Sequence, residues 1–257
     1  SDSVGTTKEL REACKDAEYV DVCGRLIMPG LINMHEHIYS ALSRGIAIAG
    51  YAPKGFLDIL DGMWWTIDRH LTEGAVRKSA RATYIDCIKN GVTTIFDHHA
   101  SYGSIEGSLF AIGEEAVDLG VRSCLCYESF VKERGRDDLK AMMGLHASFT
   151  LSDKTLELCR EYTPEDVGFH IHVAEGIEDL HDCLHKHGKR IVNRLMDMDI
   201  LGKKTMTAHC IYVNPQEMEL LKATDTMVVH NPESNMGNAC GCPPTMEMVH
   251  RGILTGL

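Results

Sequence analysis

Four short stretches of this chain carry residue types that do chemistry. The first is His35-Glu36-His37. Side chains alternate along a strand, so Asn33, His35 and His37 share one face. Two neutral imidazoles on one face suit a single divalent ion, bound at about 2.1 Å per nitrogen. The others are His172-Val173-Ala174-Glu175, Ala208-His209-Cys210 and His230-Asn231-Pro232-Glu233-Ser234-Asn235. An H-x-H alone is equally two loop histidines. The four stretches together favour a metal-dependent hydrolase. Imidazole ligands keep a metal strongly Lewis acidic, so that it acidifies water. A nearby carboxylate can relay a proton to the leaving group. A further histidine can bind a developing oxyanion or orient the nucleophile.

Other chemistries fit less well. H-E-x-x-H is absent, because Glu36 has histidine on both sides. The H-x-E with P-C-x-x-C pattern of nucleic-acid deaminases is missing, as are a G-x-S-x-G elbow and a Walker loop. The 10 cysteines are many for 257 residues, but disulfide scaffolds are usually short and lack a large core, which this chain can form. Cys87, Cys124, Cys126, Cys159 and Cys210 lie in or beside apolar segments and read as small buried hydrophobes. Cys240 and Cys242 form a C-x-C without a second pair. Reduced thiols point to a cytoplasmic setting.

These residues must be positioned by alternating strands and helices. Leu31–Met34 delivers His35 and His37 after the Pro29–Gly30 break. Residues 40–71 form a long apolar connection, with helical turns within Phe56–Trp65, that could cover a pocket. Helices are expected over residues 9–17, 73–89, 105–118, 152–161, 177–187, 190–198, 215–221 and 245–251, from caps and periodicity. Between them lie strands, seven in all from residue 26 to residue 230. Short apolar strands with crossover helices predict a parallel sheet covered by helices. Polar groups gather at the strand ends: His35, His37, Asp97-His98-His99, His146, His172, Glu175, His209 and His230. They converge only if the sheet closes, which favours a barrel over an open sheet. Only about 14 residues, around Arg134–Lys140, separate the third strand from the fourth, near the minimum for a helical crossover.

The hydrophobic fraction of 44% supports a substantial core, and the net charge of -11 argues against a nucleic-acid surface. No apolar run approaches the roughly 20 residues of a membrane helix. No membrane or nucleic-acid partner is expected.

Pro29-Gly30-Leu31-Ile32-Asn33-Met34-His35-Glu36-His37 resembles the first-strand signature of the amidohydrolase superfamily, in its cytosine deaminase, guanine deaminase and chlorohydrolase branch. Gly144-Leu145-His146-Ala147 and the later histidine motifs follow in the order of that branch. The resemblance implies a (β/α)8 TIM-like barrel of the metal-dependent hydrolase type, with a small β-sandwich from both chain ends. It implies one divalent metal, zinc or iron. His35, His37 and His172 would be its ligands, Glu175 a proton shuttle, His209 a partner of the water or substrate, and His146 a substrate contact. Seven strands are legible. The eighth strand and most of the sandwich are expected to be missing, with residues 1–25 a remnant of the sandwich and 26–257 the barrel. The family's last ligand and base, a strand-eight aspartate, is then absent, and weak metal retention and negligible turnover are expected.

The activity implied is hydrolytic deamination of a small-molecule nitrogen heterocycle or amidine, with ammonia released. Hydrolysis of a cyclic amide or C–Cl bond, and a non-catalytic scaffold, are the alternatives. Trp64 and Trp65 are candidates for an apolar or stacking wall of the substrate pocket. Arg44 is a candidate for a substrate carbonyl or carboxylate. His181, His185 and His187 recur at helical spacing on an outer helix and read as surface groups. Homo-oligomers are common in the family.

Overall fold

In a computed structural model, residues 3–127 and 139–257 are described. Eight strands form one parallel sheet in sequential order: β1 Leu31–Glu36, β2 Val92–Asp97, β3 Arg122–Tyr127, β4 Leu139–Ala147, β5 Phe169–Val173, β6 Met206–His209, β7 Met227–Val229 and β8 Thr255–Gly256. The expectation of seven strands with the eighth missing is therefore corrected. β8 pairs in parallel with β7, Val228 facing Thr255 and Val229 facing Gly256. Across the seam, the Met34 N–H donates to the Leu257 carbonyl at 2.9 Å, so the sheet nearly closes on β1. A two-residue strand has no alternation to recognise. It also follows directly on a helix and the turn at Gly252, where φ is +79°.

The helices are α1 Thr7–Ala13, α2 Phe56–Ile59, α3 Trp65–His70, α4 Glu73–Lys89, α5 Ser108–Leu119, α6 Asp153–Tyr162, α7 Ile177–His187, α8 Ile191–Asp197, α9 Pro215–Ala223, α10 Pro232–Gly237 and α11 Thr245–His250. α1 starts two residues before the expected span because Thr6 and Glu9 form a capping box. Thr72 caps α4, Ser152 caps α6, and Gly188 in a left-handed conformation closes α7, as their sequences dictate. The short third crossover around Arg134 lies outside the described residues.

The core is layered between sheet and helices. Leu145, Phe169, Ile171 and Val173 pack under Leu156, Leu180, Ile191 and Leu195 on one side. Ile95 and Leu125 pack under Val76, Tyr84 and Ile112 on the other. No helix among the described residues is long and apolar enough to cross a membrane.

One buried cation ties this frame to the mouth of the sheet. Arg194 of α8 is 2% exposed. It donates to the carbonyls of Ser148 and Leu151, each at 2.7 Å, and to the Asp153 carboxylate at 2.7 Å. Those carbonyls belong to the turn that leaves β4. Arg194→Met is expected to cost about 3 kcal/mol, since both carbonyls lose their donor. Denaturant unfolding of the two proteins checks this, and a cost below about 1 kcal/mol would contradict it.

Candidate active site

The C-terminal ends of β1, β2, β4, β5 and β6 bring seven histidines together. His35 and His37 leave β1 with ring centroids 4.9 Å apart. His172, at the end of β5, has its centroid 4.9 Å from that of His35 and 5.2 Å from that of His37. His209, at the end of β6, lies 5.6 Å from both His35 and His172. Ligand atoms of His35, His172 and His209 fall within 4.8 Å of one another, as do those of His37, His98 and His172. The residues read as ligands from the sequence thus share one locus, and His98 joins them.

Local backbone explains the convergence. His37 directly follows β1, and the next N–H, of Ile38, donates to Asp97 Oδ1 at 3.0 Å, which fixes the exit from the strand. His209 and Cys210 both adopt left-handed backbone, with φ of 72° and 50°. The turn is held from β5, whose Val173 carbonyl accepts the Cys210 N–H at 2.9 Å. Strained residues of this kind persist where surrounding contacts over-determine them. Asp179 of α7 accepts the N–H of Phe149 at 3.0 Å and that of Ala174 at 3.1 Å, clamping the ends of β4 and β5 beside Glu175.

The hydrogen bonds fix the tautomers. His37 Nδ1 lies 2.7 Å from the His98 carbonyl, and His172 Nδ1 lies 2.8 Å from the His146 carbonyl. A carbonyl only accepts, so both Nδ1 atoms carry the proton. Burial, opposed at His37 by the His98 carbonyl and at His172 reinforced by neighbouring imidazoles, holds both rings neutral below their ordinary value. Their Nε2 atoms are then bare, yet they face each other at 3.2 Å. Two lone pairs at that separation repel. A tetrahedral ion with bonds of about 2.0–2.1 Å sets its nitrogens about 3.3 Å apart. The residues present fit a divalent metal.

His209 follows the same plan, with Nδ1 2.7 Å from Asn235 Oδ1 and Nε2 turned toward the site. Asn235, from α10, is what the fourth sequence motif delivers, and its role was not legible. His98 is reversed: Nε2 lies 3.0 Å from the Leu145 carbonyl, and buried Nδ1 has no hydrogen-bond partner among the described residues. Glu175 Oε2 stands 3.5 Å from His209 Nε2, and Asn238 Nδ2 reaches its other oxygen at 3.4 Å. Burial pushes the Glu175 carboxyl up to about 7, against the opposing effects of His37 and Asn238.

A pocket opens above the imidazoles. His37, His98, His146, His172, His209 and Glu175 form its floor and sides. The long connection after β1 contributes Phe56, Leu60, Trp64, Trp65 and Asp68. Both tryptophans therefore line it, and so do Tyr39 and Tyr102, which sequence reasoning did not single out. Arg44 is not brought there. Its side chain is 71% exposed and pairs with Asp86 of α4 at 3.0 Å. Arg44→Ala is expected to leave kcat/KM within about twofold, as for a surface pair worth under about 1 kcal/mol; a tenfold loss on a turned-over heterocycle would contradict this placement. His181 and His185 are exposed on α7, away from the strand ends.

A nearly closed parallel barrel with an imidazole cluster and a buried carboxyl at its C-terminal mouth defines a metal-dependent hydrolase scaffold. The amidohydrolase family model matches residues 26–257, and the chain belongs to that family. It is 31% identical to a 5'-deoxyadenosine deaminase of Methanopyrus kandleri over 96% of this chain and 60% of that protein. It is 28% identical to a 5-methylthioadenosine/S-adenosylhomocysteine deaminase of Lawsonia intracellularis over 99% of this chain and 60% of that protein. The chain thus spans about three fifths of the length of these curated relatives. Among solved structures, guanine deaminase from C. acetobutylicum with bound guanine superposes with a TM-score of 0.80 at 18% identity, over 95% of this chain and 64% of that one. An adenosine deaminase from Xanthomonas campestris with bound zinc gives 0.76 at 20% identity, over 89% and 55%. At these identities the likeness is one of fold.

Proposed function

We propose that the protein is a metal-dependent aminohydrolase that deaminates a small nitrogen heterocycle or related amidine and releases ammonia. The observation that carries this reading is the pair of bare Nε2 atoms, on His37 and His172, facing each other at 3.2 Å beside a buried carboxyl. His35, His37 and His172 would hold one divalent ion, zinc or iron. When bound, that ion supplies Lewis acidity and an activated water. Zinc in the structurally similar adenosine deaminase supports the choice of metal.

The chain's own groups supply the rest. Glu175, with its raised pKa, holds a proton near neutrality and can deliver it to the ring nitrogen or the departing amine. His209, neutral and oriented by Asn235, is placed to hydrogen-bond the water or the substrate oxygen. His146 lines the pocket with Nδ1 held 2.8 Å from Thr150 Oγ1, and presents its other ring edge for a substrate contact. Trp64 and Trp65 give a flat apolar wall suited to a planar ring. The deaminase names of the curated relatives, all for purine nucleoside derivatives, support a purine-like ring, and the motif set resembles that of the aminohydrolase SsnA. Substrate is the one partner this reading requires.

The test is steady-state ammonia release across purines, pyrimidines and triazines by the zinc-loaded full-length protein, which carries the strand-eight aspartate. Turnover on a ring amine is expected. Product mass separates deamination from ring opening or loss of chloride. Absence of turnover on every ring, with metal bound, would contradict the reading.

A further inference from the structure

Four of the five converging imidazoles are oriented by an oxygen: His37, His98 and His172 by backbone carbonyls, His209 by an amide. His35 is the exception. Its Nδ1 lies 2.9 Å from Nε2 of another imidazole, that of His170, which is fully buried on β5. One of the two nitrogens must donate and the other accept, so the state of His35 depends on the state of His170. On its far side, His170 Nδ1 lies 3.5 Å from Cys126 Sγ. Cys126 Sγ in turn donates its S–H to the Asp97 carbonyl at 2.9 Å. The one thiol proton is spent on that carbonyl, so Sγ accepts from His170 Nδ1, the His170 proton sits on Nδ1, and its Nε2 is an acceptor.

We infer that His170 is a positioning residue that locks His35 as the Nδ1–H tautomer and so presents His35 Nε2 to the metal. The chain runs His35 Nδ1–H to His170 Nε2, then His170 Nδ1–H to Cys126 Sγ, then the Cys126 S–H to the Asp97 carbonyl. Every proton in it has one place. His170 does not line the pocket; it packs edge-on against His98 at 5.1 Å between ring centroids, and among the inward-facing imidazoles its hydrogen bond is to His35. The inference rests on the reading of His35 as a ligand. It goes further in assigning the control of one ligand to a residue two positions before another ligand, on the same strand.

Two measurements test it. The first uses no metal. Long-range 1H–15N correlation on the metal-free protein reports the tautomer of His35, assigned by its disappearance in His35→Gln. Wild type and His170→Gln, whose amide oxygen replaces Nε2 as acceptor, should show His35 as Nδ1–H. His170→Leu should move it toward the Nε2–H form that a free neutral imidazole prefers. The second is zinc affinity by competition with a chromophoric chelator. Loss of an orienting partner typically weakens metal binding about 10- to 100-fold. His170→Leu should show that loss, and His170→Gln should stay within about threefold of wild type. His35 as the Nε2–H form in wild type would overturn the inference, whether or not the leucine variant folds. Equal zinc affinity in folded His170→Leu would also overturn it. A wild-type protein that binds no zinc would overturn the metal reading instead, and the tautomer would still decide the role of His170.

Discussion

Replacing His172 with alanine is expected to empty the metal site and abolish turnover. His172 belongs to both groups of converging imidazoles, His35–His172–His209 and His37–His98–His172. Its Nε2 faces that of His37 at 3.2 Å. Among the described residues His172 alone belongs to both groups, so its loss leaves neither with three nitrogens. Zinc should fall from about one per chain to under about a tenth after dialysis, since a structural or catalytic site needs three or four ligands. Turnover should drop on the order of a thousandfold or more, a barrier increase of about 4 kcal/mol. Folding should be little affected in the metal-free state, because one hydrogen bond, to the His146 carbonyl, is lost, worth about 1 kcal/mol. Elemental analysis, ammonia release and denaturant unfolding on the same preparation separate these effects. Full zinc occupancy in His172→Ala would contradict the assignment.

Glu175→Gln is expected to separate binding from chemistry. The amide keeps the shape of the side chain and its contact with Asn238 but cannot carry a proton to the leaving group. A positioned acid–base group contributes about 10²- to 10⁴-fold. A kcat loss in that range is expected, with zinc content unchanged and KM within a few-fold. Burial is the leading cause of the raised Glu175 pKa of about 7, so the group is set to exchange protons near neutrality. A variant that retained wild-type kcat would remove Glu175 from the mechanism. One that lost its zinc would make Glu175 a ligand and not a shuttle.

Much of the site was legible because strand ends are marked twice, by chemistry and by periodicity. The alternation through Asn33, His35 and His37 places both imidazoles on one face, and β1 presents them so. The capped and glycine-closed helices α4 and α7 are likewise local features, set by Thr72 and Gly188. What escaped is non-local. β8 is two residues long and exists only through its bonds to Val228 and its neighbour at Met34. Asp179 reads as one acid among several on an amphipathic helix, yet it is buried and clamps two strand ends. His170 sits within an apolar strand, and only the fold shows that it faces His35 across the barrel. Arg44 follows the first histidine pair closely in sequence, but the 3-10 turn at Ile38–Ser43 carries it outward to Asp86. Proximity along the chain is a poor guide where a turn intervenes.

The central claim is that histidines at the strand ends hold one divalent ion. Zinc K-edge absorption on the protein loaded with one equivalent of zinc tests it most directly. A first shell of nitrogen and oxygen at about 2.0–2.1 Å, with outer-shell scattering from at least three imidazoles and no sulfur, is the expected result. The chain holds 10 cysteines, among them buried Cys126 near His170 and Cys210 beside His209, so a thiolate site is a real competitor. A sulfur shell at about 2.3 Å, or fewer than three imidazoles, would contradict the account.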